Sequence, residues 1–115
     1  MNIESLREYC LKKKYTEESF PFGELTLVFK VMGKMFLLVG LESSPLRFNV
    51  KCDPEEVEEL RERYEAVQPG YHMNKKHWNT VIVDGTIPES ILKKMIDESY
   101  RLVIESLPGK YRKSR

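Results

Sequence analysis

The heptapeptide LRFNVKC, Leu46 to Cys52, alternates without a break. Leu46, Phe48, Val50 and Cys52 are apolar or thiol-bearing, and Arg47, Asn49 and Lys51 are polar. Successive strand side chains point to opposite faces, so this is a strand with one buried face and one wet face. A half-wet strand belongs in an antiparallel sheet covered on one side, because parallel sheets are covered on both. The stretch DPEEVEELRERY comes immediately after it and reads as a helix. Asp53 suits the N-cap, Pro54 the first helical position and Glu56 the third position of a capping box. Val57, Leu60 and Tyr64 form its buried stripe.

The rest of the chain supplies partners for that strand and helix. NIESLREYCLKKK places Ile3, Leu6 and Cys10 at helical spacing, with Asn2 as a cap and Ser5 giving an incomplete capping box. ESFPFGE reads as a loop or irregular edge. Strands are expected over Leu25 to Met32 and Lys34 to Leu41, joined in a tight hairpin by Gly33. The second is apolar on both faces and therefore central. A short strand, WNTVIV, ends in a turn at Asp84 and Gly85, for which a hairpin is the usual reading. A long final helix then runs from Pro88, in its first turn, to Leu107. Further short strands fit Phe20 to Phe22 or Val67 to His72. The expected fold class is α+β, a two-layer domain with helices packed on one face of an antiparallel sheet. A single domain spans 1–115, with residues 110–115 as a frayed basic tail.

Composition limits function. The formal net charge is +1 over 115 residues, so nucleic-acid binding must rest on a local patch. Charge is uneven: Asp53 to Glu65 carries seven acids and two bases, whereas Ala66 to Arg115 carries nine bases and five acids. Cys10 and Cys52 sit in apolar patterns, which suits reduced, buried thiols in a cytoplasmic protein. The first ten residues hold no apolar run of the secretion type, and the longest such run, Met35 to Val39, is far short of a membrane span.

One segment concentrates chemistry. PGYHMNKKHWNTVIVDG holds both histidines and the only tryptophan. His72 and His77 are five residues apart, bring no acid and enclose two lysines, so no metal or other cofactor is expected. No G-x-S-x-G elbow, paired catalytic carboxylates or glycine-rich phosphate loop stands out, and no catalysis is expected. Lys75 and Lys76 suit phosphates, Asn74 and Asn79 suit phosphates or base edges, and Trp78 suits stacking on an unpaired base. Structural roles compete. Trp78 alternates with Thr80 and Ile82, as a residue facing the core or a helix would. His72 and His77 fit hydrogen bonds that pin the Pro69–Gly70 turn. Arg47, Asn49 and Lys51 form a second candidate patch on the wet strand face, or merely solvate it. Phe20, Phe22 and Met35 can leave a small exposed apolar patch.

The run KCDPEEVEELRERY, followed by the Pro-Gly-Tyr-His-Met-Asn-Lys-x-His-Trp pattern from Pro69 to Trp78, resembles the MmcQ/YjbR family of small bacterial proteins. The resemblance covers almost the whole chain. It implies a CyaY-like α+β fold, related to double-wing domains, and a DNA-binding label. It places the family signature on Tyr71, His72, Asn74, Lys75, His77 and Trp78. A CyaY-like fold also raises iron binding through an acidic ridge near the first helix, but here that helix carries only Glu4 and Glu8 before three lysines. The leading expectation is a non-catalytic DNA-binding protein, monomeric or weakly dimeric, contacting phosphates through Arg47, Asn49, Lys51, Asn74, Lys75 and Lys76. The rival is a protein-interaction or small-ligand adaptor without nucleic acid.

Overall fold

A computed structural model describes residues 1–70 and 73–108. The elements run α1 (Ile3–Leu11), β1 (Thr16–Ser19), β2 (Thr26–Val31), β3 (Lys34–Gly40), β4 (Leu46–Lys51), α2 (Val57–Arg63), β5 (Val67–Pro69), β6 (Trp78–Val83) and α3 (Glu89–Glu105). The six strands form one sheet in the order β1-β2-β3-β4-β6-β5, and every neighbouring pair is antiparallel. The expected α+β architecture is the one observed. The basic tail lies outside the described residues.

The alternation in β4 sets the layers. Phe48 and Val50 are buried, Arg47 is exposed, and Asn49 and Lys51 are half-buried. Cross-strand partners share a face, so Val39 and Val81 opposite Phe48, and Leu37 opposite Val50, join the inner side. Leu6 and Cys10 of α1 and Leu92, Met95, Ile96 and Val103 of α3 pack with those residues in one core. Ser99 ties α3 to the sheet at its centre. Its hydroxyl donates to the Phe36 carbonyl at 2.5 Å and accepts from the Lys51 amide at 2.8 Å.

Local chemistry sharpens several boundaries. The β2–β3 hairpin closes on the Val31–Lys34 pair, with Met32 at φ 50° and Gly33 at φ 83°. Two left-handed residues in a two-residue loop are what a primed hairpin turn requires. Phe29 pairs with Leu37 and Lys30 with Met35, so Phe36 is the extra residue of a bulge. The capping box of α1 is complete: the Ser5 amide donates to Asn2 Oδ1 at 2.8 Å, and the Asn2 amide donates to Ser5 Oγ at 3.0 Å.

Other expectations are corrected. Asp53 does not cap α2 directly. Its carboxylate accepts from the Glu55 amide at 2.9 Å and organises a turn, and the helix begins at Val57 without a side-chain cap from Glu56. Pro88 stands at the N-cap of α3 and not inside its first turn. The Asp84–Gly85 turn does not build a hairpin, because β6 leads into α3; Asp84 Oδ1 instead accepts from both the amide and the hydroxyl of Thr86. The extra edge strand lies at Thr16–Ser19, ahead of Phe20, while β5 falls inside the expected Val67 to His72 stretch.

Candidate functional site

The sheet face opposite the helices is where the sequence-predicted residues meet. Arg47, Asn49 and Lys51 of β4 pair with Ile82, Thr80 and Trp78 of β6, so all six share that outer face. Trp78 is therefore half-buried on the side away from the helices, not set into the core. The reason is register: Asn79, not Trp78, lies opposite the inward-facing Val50.

This outer face is not simply wet. Val28 and Leu38 are buried on it, and a basin of about 540 Å³ is lined by Phe22, Leu38, Arg47, Asn49, Gln68, Met73 and Thr80 among others. At its floor Thr80 Oγ1 donates to Asn49 Oδ1 at 2.5 Å, which fixes the Asn49 amide and leaves its NH₂ arm for other partners. Phe22, 62% exposed, stands at the rim on the β1–β2 connection. Phe20 is also exposed there, whereas Met35 is half-buried.

The basic loop adjoins the end of β4, because Lys51 lies opposite Trp78. Lys75 and Lys76 are exposed. The Asn74 carboxamide oxygen accepts from the Lys76 amide at 2.9 Å, and the Asn74 carbonyl accepts from the His77 and Trp78 amides. Asn74 thus builds the turn that presents the two lysines, and its side-chain oxygen is occupied in doing so. His77 contributes through its backbone: its carbonyl accepts from the Cys52 amide at 2.6 Å. The Arg61 side chain also clamps this loop. That side chain donates to Asn79 Oδ1 at 2.8 Å, to the Lys75 carbonyl at 2.5 Å and to the Trp78 carbonyl at 3.4 Å. Tyr71 and His72 lie outside the described residues.

None of Arg47, Lys51, Lys75 and Lys76 forms an ion pair with a carboxylate among the described residues. The pairs present engage other cations: Arg7 with Glu18, Lys13 with Asp97, Arg63 with Glu59, Lys93 with Glu89, and Arg101 with Glu98 and Glu105. The two thiols are free and buried. Burial pushes Cys10 up to about 12 and Cys52 up to about 11, so both are neutral at physiological pH. Among the described residues, no three His, Cys, Asp or Glu side chains cluster as metal ligands, and no helix is long and apolar enough to cross a membrane.

The YjbR family model matches residues 11–102, a span that runs from the end of α1 through most of α3 and includes the whole basic loop. The chain belongs to the YjbR family. Two relatives from Escherichia coli span nearly all of this YjbR-family chain. Uncharacterized protein YbdF of strain O157:H7 is 38% identical over 108 residues, covering 90% of this chain and 85% of the relative. Uncharacterized protein YjbR of strain K12 is 34% identical over 113 residues, covering 98% and 96%. The crystal structure of Deinococcus radiodurans protein DR2400, a DUF419 domain, superposes with a TM-score of 0.93 at 41% identity, covering 98% of this chain and 86% of that one. The α+β fold of this chain is thus also that of a solved relative.

Sequence reasoning singled out Arg47, Lys51, Lys75 and Lys76 but not the neighbouring Arg61, Gln68, Thr80 and Met73. Gln68 and Thr80 carried a findable signal, since each alternates with an inward valine. Arg61 carried none: it is one arginine on a charged helix, and only the fold brings it to the loop.

Proposed function

We propose that this chain is a non-catalytic DNA-binding module of the cytoplasm that holds the phosphate backbone against the outer face of its sheet. One observation carries the reading. Arg47 and Lys51 occupy a single face of β4, the loop bearing Lys75 and Lys76 adjoins its end, and no described carboxylate pairs with any of the four. Arg47 and Lys51 are four residues apart on a strand, roughly 13 Å, a separation within reach of neighbouring phosphates on one strand. Asn49, between Arg47 and Lys51 on β4, and Gln68, level with it across β6 on β5, line the basin and supply amide groups suited to sugar or base edges. Turn-forming Asn74 acts by presenting Lys75 and Lys76.

Titration of the purified chain against duplex and single-stranded DNA tests this. Four phosphate contacts on duplex predict a loss of affinity of roughly a hundredfold between about 50 and about 200 mM salt. Absence of binding, or an affinity indifferent to salt, rejects the proposal.

A further inference from the structure

A second recess lies on the opposite side of the sheet. A cleft of about 310 Å³ opens between α2 and α3, walled by Leu60 from α2, Ile91 and Met95 from α3, and Val50, Val67 and Val81 from the sheet. That volume lies at the lower end of the range for small-molecule sites. Asn79 also lines it and is 1% exposed. Its Oδ1 accepts from Arg61 Nε at 2.8 Å, which fixes which way round the amide sits. Its Nδ2 is buried and has no hydrogen-bond partner. Native interiors rarely leave such a donor unmatched, so an unmatched donor on the wall of an apolar cleft calls for an acceptor from outside the chain.

The surrounding charges define that acceptor. Lys51, Glu56, Arg63, Lys94 and Glu98 sit around the cleft, three cations and two carboxylates. Arg63 is paired with Glu59, and Glu98 with Arg101. The Arg61 guanidinium is already engaged by Asn79 and by the Lys75 and Trp78 carbonyls. Lys51 carries its side chain on the opposite face of β4 and Lys94 is exposed to solvent, so neither sets a buried charge beside Asn79, and burying an ionised head without such a partner is far costlier than burying a hydrogen-bonded neutral group. We propose that this cleft binds a small uncharged molecule with an apolar body and one carbonyl oxygen that accepts from Asn79 Nδ2. This site does not rest on the nucleic-acid reading, although Lys51 of β4 borders both.

Three probes with one ring and different heads test it: acetophenone, ethylbenzene and benzoate, each titrated into the full chain and followed by amide NMR. Acetophenone is expected to bind saturably, moving the Asn79 side-chain amide signals together with Leu60 and Ile91. Ethylbenzene and benzoate are expected to bind at least about tenfold more weakly, lacking the acceptor or carrying an unpaired charge. Asn79→Asp keeps an oxygen for Arg61 but removes the donor, and is expected to weaken acetophenone at least about tenfold. Ile91→Trp, at a half-exposed wall position, fills the cleft, abolishes binding and keeps the comparison decisive if Asn79→Asp does not fold. Non-saturable binding of acetophenone, as for a cleft holding water only, overturns the proposal. So does equal binding of all three probes, or acetophenone affinity unchanged by Ile91→Trp.

Discussion

Arg61 on α2 donates from Nε to Asn79 Oδ1 on β6 at 2.8 Å, and its other nitrogen reaches the Lys75 carbonyl at 2.5 Å. One guanidinium thus joins a helix, a buried strand residue and the loop that carries the basic pair. Hydrogen bonds from a charged donor contribute about 1.5–3 kcal/mol each where water is excluded. Arg61 is only half-buried, so Arg61→Met is expected to cost about 2 kcal/mol in urea unfolding, near the lower end of that range. Amide exchange at His77 and Trp78 should accelerate at the same time; a variant with unchanged loop exchange shows that Arg61 does not clamp it.

Gly70 is required for space, not for dihedral freedom. A Cβ there meets Trp78 Cβ and the Trp78 carbonyl oxygen at 2.9 Å each, and Met73 Cβ at 3.1 Å. Two of these atoms cannot swing away. Gly70→Ala is expected to lower stability by about 1–3 kcal/mol through overpacking and to shift tryptophan emission, since Trp78 is the only tryptophan.

Ser99 is the hydroxyl that closes the helix–sheet layer. Ser99→Ala leaves the Phe36 carbonyl and the Lys51 amide without it inside a packed interface. A loss of about 1–3 kcal/mol is expected, read by thermal or denaturant unfolding, whereas Ser99→Thr would instead test the space around Phe36.

Arg7 and Glu18 form a two-pronged contact between α1 and β1, at 2.7 and 2.6 Å. The hydrogen bond from Arg7 holds the Glu18 carboxyl below the usual glutamate range. A depressed folded-state pKa means the stabilisation is present above the unfolded value and is lost as pH falls through the folded one. Acid unfolding below the ordinary glutamate range should therefore include a Glu18 component that disappears in Arg7→Gln. An acid limb identical in that variant removes the pair from the account.

The buried thiols give a chemical test of packing. With Cys10 pushed up to about 12 and Cys52 to about 11 by burial, neither should react with a disulfide reagent at neutral pH until the chain unfolds. Rapid native-state labelling of Cys52 would show that the α2–α3 cleft admits the reagent.

For the outer face, replacing Arg47 and Lys51 together by alanine should reduce the duplex salt slope by about two, one for each phosphate that is no longer neutralised. The Lys75, Lys76 double alanine variant should do the same without loss of stability, because only their backbone atoms hold the loop. Retained slopes in both variants place the DNA contact elsewhere.

The alternation from Leu46 to Cys52 by itself determined that a half-covered antiparallel sheet would form, because side-chain direction in a strand is set by covalent geometry alone. The spacing of Leu6 and Cys10, and the apolar stripe of α3, likewise determined which helix faces would cover it. The helix starts were less legible. Asp53 and Asp84 are strong turn formers, but the kind of turn each makes depends on the neighbours that the fold brings beside it. Only the tertiary structure decided that Trp78 faces outward, that Arg61 pins the basic loop, and that the Asn79 amide faces an apolar cleft. Those facts depend on strand register and on α2 settling over β5 and β6, contacts between residues distant in the chain that no local pattern encodes.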